Sequence, residues 1–173
     1  MKLSLYGITV VFCFAALLGG CRGKKDLPIG GIKSGVIDFR LDTLEHERFY
    51  LNQYRGKVVV LAFWSTWCVV CKSELTELKP IATAPEYKDV VVAAVCNDSE
   101  NIDDVKTIVK SLAIDYPVLL DKEAKVFKEL GMSAVPTTIV IDRTGKISLA
   151  RQGFDAGIMR QIKKKVESLI ASE

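Results

Sequence analysis

Histidine is nearly missing from this chain: His46 is the only one in 173 residues. It stands between Glu45 and Glu47 in a polar stretch, which reads as an exposed turn. With no other imidazole to act as a general base, Ser-His and Cys-His hydrolase mechanisms lack support. An excess of charge of one sign is also lacking. Lys and Arg total 24 against 21 for Asp and Glu, a net of +3, and no long basic run is interleaved with aromatics. Nothing therefore favours a DNA or RNA partner. There are five prolines, no internal repeat and no sign of a second domain. A chain this long that is 49% hydrophobic can bury a full core as one domain.

Long apolar runs are limited to the N-terminus. Lys2 precedes the run Leu3 to Leu18, and Gly19-Gly20-Cys21 follows. A cation, an apolar stretch and small residues before a cut describe a secretory signal. The run falls short of the ~20 apolar residues that span a bilayer. The ending LGGC resembles the lipobox of bacterial lipoproteins, which implies a lipid on Cys21 and cleavage before it. The expected division is a leader over 1–21, a Gly- and Lys-rich tether over 22–35 and one folded domain over 36–173. That domain is expected outside the cytoplasm, in the cell envelope, tied to a membrane by its N-terminal lipid and facing the periplasm or the extracellular side. An uncleaved anchor is the alternative.

Five cysteines then reduce to three in the domain, because Cys13 leaves with the leader and Cys21 takes the lipid. One CxxC pair and one remaining cysteine cannot form a dense disulfide framework. Zinc usually takes four ligands in paired elements, and here only Cys96 and His46 could join Cys68 and Cys71. No metal and no cofactor are expected.

The remaining chain alternates strand and helix patterns. Val36–Leu41 and Glu47–Tyr50 suggest a hairpin. Val58–Phe63 is a continuous apolar run suited to a strand buried on both faces. Lys72–Lys79 reads as helix, which Pro80 should kink or end. A second buried strand follows at Val90–Cys96. Asn101 is placed to cap a helix whose stripe is Ile102, Val105, Ile108, Val109 and Leu112. A short apolar piece, Pro117–Leu120, leads to a helix over Lys122–Leu130 closed by Gly131. Strands Thr137–Ile141 and Lys146–Arg151 form a hairpin, and a last helix runs from Asp155 to about Ser172. Its Arg160, Lys163 and Lys164 read as a solvated face first and a membrane contact second. The class is α/β, a mixed sheet with helices on both faces.

Cys68 falls where the buried strand gives way to helix. There the positive end of the helix dipole lowers a thiol pKa. Cys71 lies one turn further in, close enough to attack Cys68 once that sulfur is bonded to a substrate. The spacing suits thiol–disulfide exchange through a mixed disulfide.

Strand, FWSTWCVVCK, helix, and later VPTT before a strand together resemble the thioredoxin superfamily. The N-terminal hairpin, GKVVVLAFWSTWC, the extra strand–helix unit with VVAAVCNDSE, and MSAVPTTIVIDRTGKI are similar to its membrane-tethered TlpA/ResA-type thiol-disulfide oxidoreductases. The likeness covers roughly residues 36 to 170. It implies a thioredoxin-like fold with an extra strand–helix insertion. It implies that Cys68 attacks and Cys71 resolves, the two forming the redox disulfide. Trp67 would pack beside them, Pro136 would be a cis-proline, and the Val135 backbone would pair with substrate. Thioredoxins keep a buried aspartate where this chain has Ala62. The TlpA/ResA type carries an acid after the next strand, and Asp98 falls there as a proton relay, or else as a turn residue. Val69-Val70 replaces the family's usual proline, so the potential cannot be borrowed. Cys96 is expected to be a buried inert thiol, and Trp64 a core residue.

The resemblance further implies a monomeric reductant of protein disulfides such as that of apocytochrome c. A membrane electron donor of the CcdA or DsbD kind would re-reduce it. An oxidant or isomerase on the same fold is the alternative. A non-catalytic lipoprotein that binds a partner or copper is another, and a peroxidase lacks its Thr/Cys context here.

Overall fold

The computed structural model describes residues 35–172. The leader 1–21 with Cys21, and the tether up to residue 34, lie outside the described residues.

Seven strands form one mixed sheet in the order β2-β1-β5-β4-β3-β6-β7. They are β1 (Arg40–Thr43), β2 (Arg48–Tyr50), β3 (Val58–Trp64), β4 (Val90–Cys96), β5 (Val118–Leu120), β6 (Thr137–Ile141) and β7 (Ile147–Gln152). Strands β3, β4 and β5 run parallel, and the remaining pairs are antiparallel. The helices are α1 (Val69–Thr83), α2 (Ile102–Ser111), α3 (Lys125–Glu129) and α4 (Ala156–Ala171).

The apolar run of β3 has its physical reason in this order. Flanked by β4 and β6, it buries every residue, with side chains alternating between two cores. Val58, Val60, Ala62 and Trp64 share a cluster with residues of α1, α2 and α4. Val59, Leu61 and Phe63 share the other with α3 and with Ile37, Phe49 and Leu51. Both faces are thus covered, α3 alone among the helices packing on the second.

Two expected helices differ. Pro80 does not end α1, which continues to Thr83. A proline inside a helix costs about 3 kcal/mol. Leu75, Leu78 and Ile81 are all buried on the same helix, and fully burying such side chains stabilises by roughly 1.5–3 kcal/mol each. Burial therefore outweighs the proline. The expected helix Lys122–Leu130 is instead broken. Lys122–Ala124 forms a 3-10 turn with Glu123 at φ 59° and Ala124 at φ 52°, and α3 begins at Lys125. The cause is Asp121, whose carboxylate accepts the Val126 and Phe127 N–H groups at 2.9 Å each. That cap fixes the helix start and turns the preceding residues out of helical geometry. Gly131 does take the left-handed conformation beyond α3, at φ 76°.

The other expected strands and helices are present with shifted boundaries, the largest shift being at β1, expected from Val36 and found to begin at Arg40. The N-terminal hairpin pairs Leu41 with Phe49, while Val36 bridges Lys146. Asn101 caps α2 by accepting the Asp103 N–H at 3.2 Å. His46 sits in the exposed hairpin turn at φ 66°.

Candidate redox site

The parallel strands carry the chain to one edge of the sheet, where β3 ends at Trp64 beside Cys96 of β4. The turn Ser65-Thr66-Trp67-Cys68 follows, closed by the Cys68 N–H on the Ser65 carbonyl at 3.1 Å. Cys68 is the N-cap of α1 in extended geometry, and its Sγ accepts the Cys71 N–H at 3.2 Å. A sulfur in that position faces unpaired helix N–H groups, which favour its thiolate. The two cysteines are joined as a disulfide with Cα atoms 5.3 Å apart.

Access is one-sided. Cys71 is fully buried and Cys68 is 6% exposed, whereas Trp67 is 71%, Val69 75% and Val70 48% exposed. An apolar collar thus stands in solvent around the outer cysteine. No acidic residue occupies the first turn of α1, so nothing there opposes a developing thiolate.

Antiparallel pairing of Phe63 with Thr137 brings the segment before β6 to the same edge. The Val135–Pro136 peptide is cis. The Pro136 carbonyl accepts the Gly153 N–H at 2.7 Å, and Thr137 Oγ1 donates to the Ala134 carbonyl at 2.6 Å. Val135 is half-buried between the two cores.

Asp98 lies just beyond β4. Its carboxylate receives the Thr66 N–H on both oxygens, at 2.9 and 3.0 Å, and the Thr66 hydroxyl at 2.7 Å. The Cys96 thiol donates to the same carboxylate at 3.2 Å. Cys96 is fully buried, and burial pushes its thiol pKa well up. Trp64 is fully buried too, as the core reading of it expected.

One residue escaped the sequence reading. Glu74, one turn beyond Cys71 on α1, is fully buried. Its Oε1 accepts the Thr138 hydroxyl at 2.8 Å, and its Oε2 has no partner among the described residues. Burial raises this carboxyl from 4.5 to about 7, partly opposed by the Thr138 hydrogen bond. The signal was present: an acid on the stripe of Cys71, Leu75 and Leu78 points inward at helical spacing.

A mixed sheet delivering a CxxC pair to a helix N-terminus, with a cis-proline at the same edge, defines a thioredoxin-fold disulfide protein. The AhpC/TSA family model matches residues 32–150. Thiol-disulfide oxidoreductase ResA of Bacillus thuringiensis is 33% identical over 64% of this chain, and the match spans 63% of that relative's length. ResA of Halalkalibacterium halodurans is 30% identical over 100% of this chain and 95% of its own length. Among solved structures, a Chlorobium tepidum protein assigned as thiol:disulfide interchange protein DsbE superposes with a TM-score of 0.72. It is 24% identical and covers 83% of this chain and 99% of its own. The exposed lipoprotein thioredoxin of Streptococcus pneumoniae is 30% identical with a TM-score of 0.66, over 77% of this chain and 100% of its own. The chain belongs to the AhpC/TSA family and, within it, to the ResA-type thiol-disulfide oxidoreductases.

Proposed function

We propose that this protein reduces protein disulfides outside the cytoplasm. The observation that carries the reading is the Cys68–Cys71 disulfide at the start of α1, with its outer sulfur ringed by exposed Trp67, Val69 and Val70. In the reduced protein the Cys68 thiolate attacks one sulfur of a substrate disulfide. The first substrate thiolate leaves and a mixed disulfide forms. Cys71 then loses its proton and attacks Cys68 Sγ, closing the internal disulfide and releasing the second substrate thiolate. Two electrons pass from the dithiol to the substrate. Trp67 packs beside the substrate, and the backbone of Val135, ahead of Pro136, pairs with its extended segment.

Two carboxyls compete for the Cys71 proton. Glu74 is favoured, because it is buried on the same helix face with one free oxygen and its pKa is held near 7, where a group both takes and returns a proton. Asp98, the acceptor implied by the family resemblance, is the second candidate, since its oxygens already serve Thr66 and Cys96.

Apocytochrome c, whose CxxC disulfide must open before haem attachment, is the proposed substrate. A membrane donor of the CcdA or DsbD kind restores the dithiol. The protein acts as a monomer, held to the membrane by lipid on Cys21 with 22–35 as its tether. A solved relative described as an exposed lipoprotein supports that placement.

The reduction potential of the pair tests direction. A value near or below about −230 mV supports a reductant, and one near about −120 mV an oxidant. A Cys71→Ser variant should also trap a mixed disulfide with an oxidised apocytochrome c peptide. Equal inactivity of wild type and Cys68→Ser toward any disulfide would leave only a binding role.

A further inference from the structure

Beyond their last paired residues, β3 and β4 remain stitched together. The Asn97 N–H donates to the Trp64 carbonyl at 3.0 Å, and Ser65 Oγ donates to Asn97 Oδ1. The Asp98 carboxylate then takes both donors of Thr66. Thr66 is the second residue of the turn that sets Cys68 on the N-terminus of α1, so the outer sulfur is aimed from β4 as well as from its own helix. On β4 itself, a further donor reaches that carboxylate: the S–H of Cys96 on Oδ1. A buried cysteine ordinarily counts as a small hydrophobe. This one is hydrogen-bonded to an ionisable group that holds the redox turn.

We propose that Cys96 is a positioning residue for the redox reaction: its thiol orients the Asp98 carboxylate, which clamps Thr66 and thereby seats Cys68 over the start of α1. The inference rests on Cys68 being the attacking thiol. It assigns Cys96 no electron transfer and no bond to substrate.

Burial and the nearby carboxylates of Asp98 and Glu100 keep the Cys96 thiol protonated, so it remains a donor at ordinary pH. Other charged groups border the same region: Asp104 of α2 lines a shallow cavity with Thr66 and Trp67, Asp121 donates its backbone N–H to the Cys96 carbonyl at 2.8 Å, and on α1 Glu74 is buried and Lys72 half-buried. Removing the S–H acts on Cys68 in one direction by two routes. Oδ1 loses a donor, so the negative charge beside the turn is less compensated and opposes the Cys68 thiolate. The carboxylate is also less firmly oriented toward Thr66, so the sulfur sits less well on the helix N–H groups that lower its pKa.

The test is the pH profile of Cys68 alkylation by iodoacetamide in the reduced protein, with the modified site located by mass spectrometry. Cys96→Val, which keeps bulk without a donor, should raise the midpoint by about half a pH unit, slowing the reaction about threefold below it. Cys96→Ser, which restores a donor, should return the profile to that of wild type. Unchanged midpoints in Cys96→Val, or Cys96→Ser behaving as Cys96→Val, would overturn the proposal. If Cys96→Val does not fold, Thr66→Val decides from the other side of the same carboxylate: a raised midpoint supports the clamp and an unmoved one removes it. Alkylation of wild type elsewhere than at Cys68 would instead undo the functional reading on which the clamp depends.

Discussion

Thr138 Oγ1 donates a 2.8 Å hydrogen bond to Oε1 of Glu74, tying β6 to α1 in the interior beneath the redox pair. The bond helps the ionised carboxylate, but burial outweighs it, and the carboxyl is raised from 4.5 to about 7. The folded protein thus binds this proton more tightly than the unfolded chain. The stability it confers is complete below about pH 4.5 and lost as pH rises through about 7. Glu74→Gln should gain on wild type across that interval by at most ~3 kcal/mol and then run parallel to it. Urea unfolding of the oxidised protein between pH 4 and 9 measures the difference. A constant gap would mean that Glu74 is not the group titrating. Thr138→Val removes the opposing bond and should move the transition upward.

The same carboxyl has a kinetic signature. If Glu74 takes the Cys71 proton, Glu74→Gln slows resolution of the mixed disulfide by about 100-fold, the lower range for a positioned acid–base group. Formation of the mixed disulfide, the step assigned to Cys68 in the proposed function, is spared. Asp98→Asn should do the reverse, slowing formation more than resolution. Rapid-quench sampling of the mixed disulfide with a peptide substrate separates the two steps. A larger resolution defect in Asp98→Asn would return the relay to Asp98.

Trp67 is 71% exposed, so its ring adds little to the fold. Trp67→Ala should change stability by less than about 0.5 kcal/mol. Its kcat/KM for a protein disulfide should still fall about tenfold, as expected for loss of a central aromatic contact. Reduction of a small disulfide such as oxidised glutathione should change far less. Equal losses on both substrates would show that the ring supports the turn and not the substrate.

Sequence made the redox pair and its strand legible because both rest on local rules. An apolar run reports a central strand, and a CxxC at a strand–helix junction reports its own chemistry. Asn101 and Gly131 were readable for the same reason, since caps depend on neighbours. Pro80 and Asp121 were not. Whether a helix survives a proline depends on what its inward face meets across the core. The break at Glu123 follows from a carboxylate engaging N–H groups five and six residues further on. Glu74 was hidden by type: an acid is assumed to face water, and only its place on the Cys71 stripe argues otherwise. The contacts of Asp98 with Thr66 depend on how two parallel strands align beyond their ends, which periodicity does not encode.

Asp121 tests the helix break directly. It is fully buried and holds the N–H groups of Val126 and Phe127. Asp121→Ala should cost about 1–2 kcal/mol, the range for a lost helix cap. Hydrogen exchange of those two amides should accelerate while the reduction potential stays at its wild-type value. Unchanged protection would show that packing of Val126 and Phe127 alone holds the segment.

Val69 and Val70 offer the last lever, because both lie between the cysteines and both are exposed. They add no charge to the start of α1, leaving the helix dipole and N–H groups to set the thiolate. A cation placed there stabilises the thiolate and hence the reduced form, which raises the potential, and an anion does the opposite. An exposed charge in water is worth roughly 0.5 kcal/mol. For a two-electron couple that corresponds to about 10 mV. Val70→Lys should therefore shift the potential upward by roughly this amount and Val70→Glu downward, and both shifts should shrink in high salt. Equilibration of all three proteins with one thiol buffer measures the differences. Shifts of the same sign for Lys and Glu would mean that the dipeptide acts through its shape and not its charge.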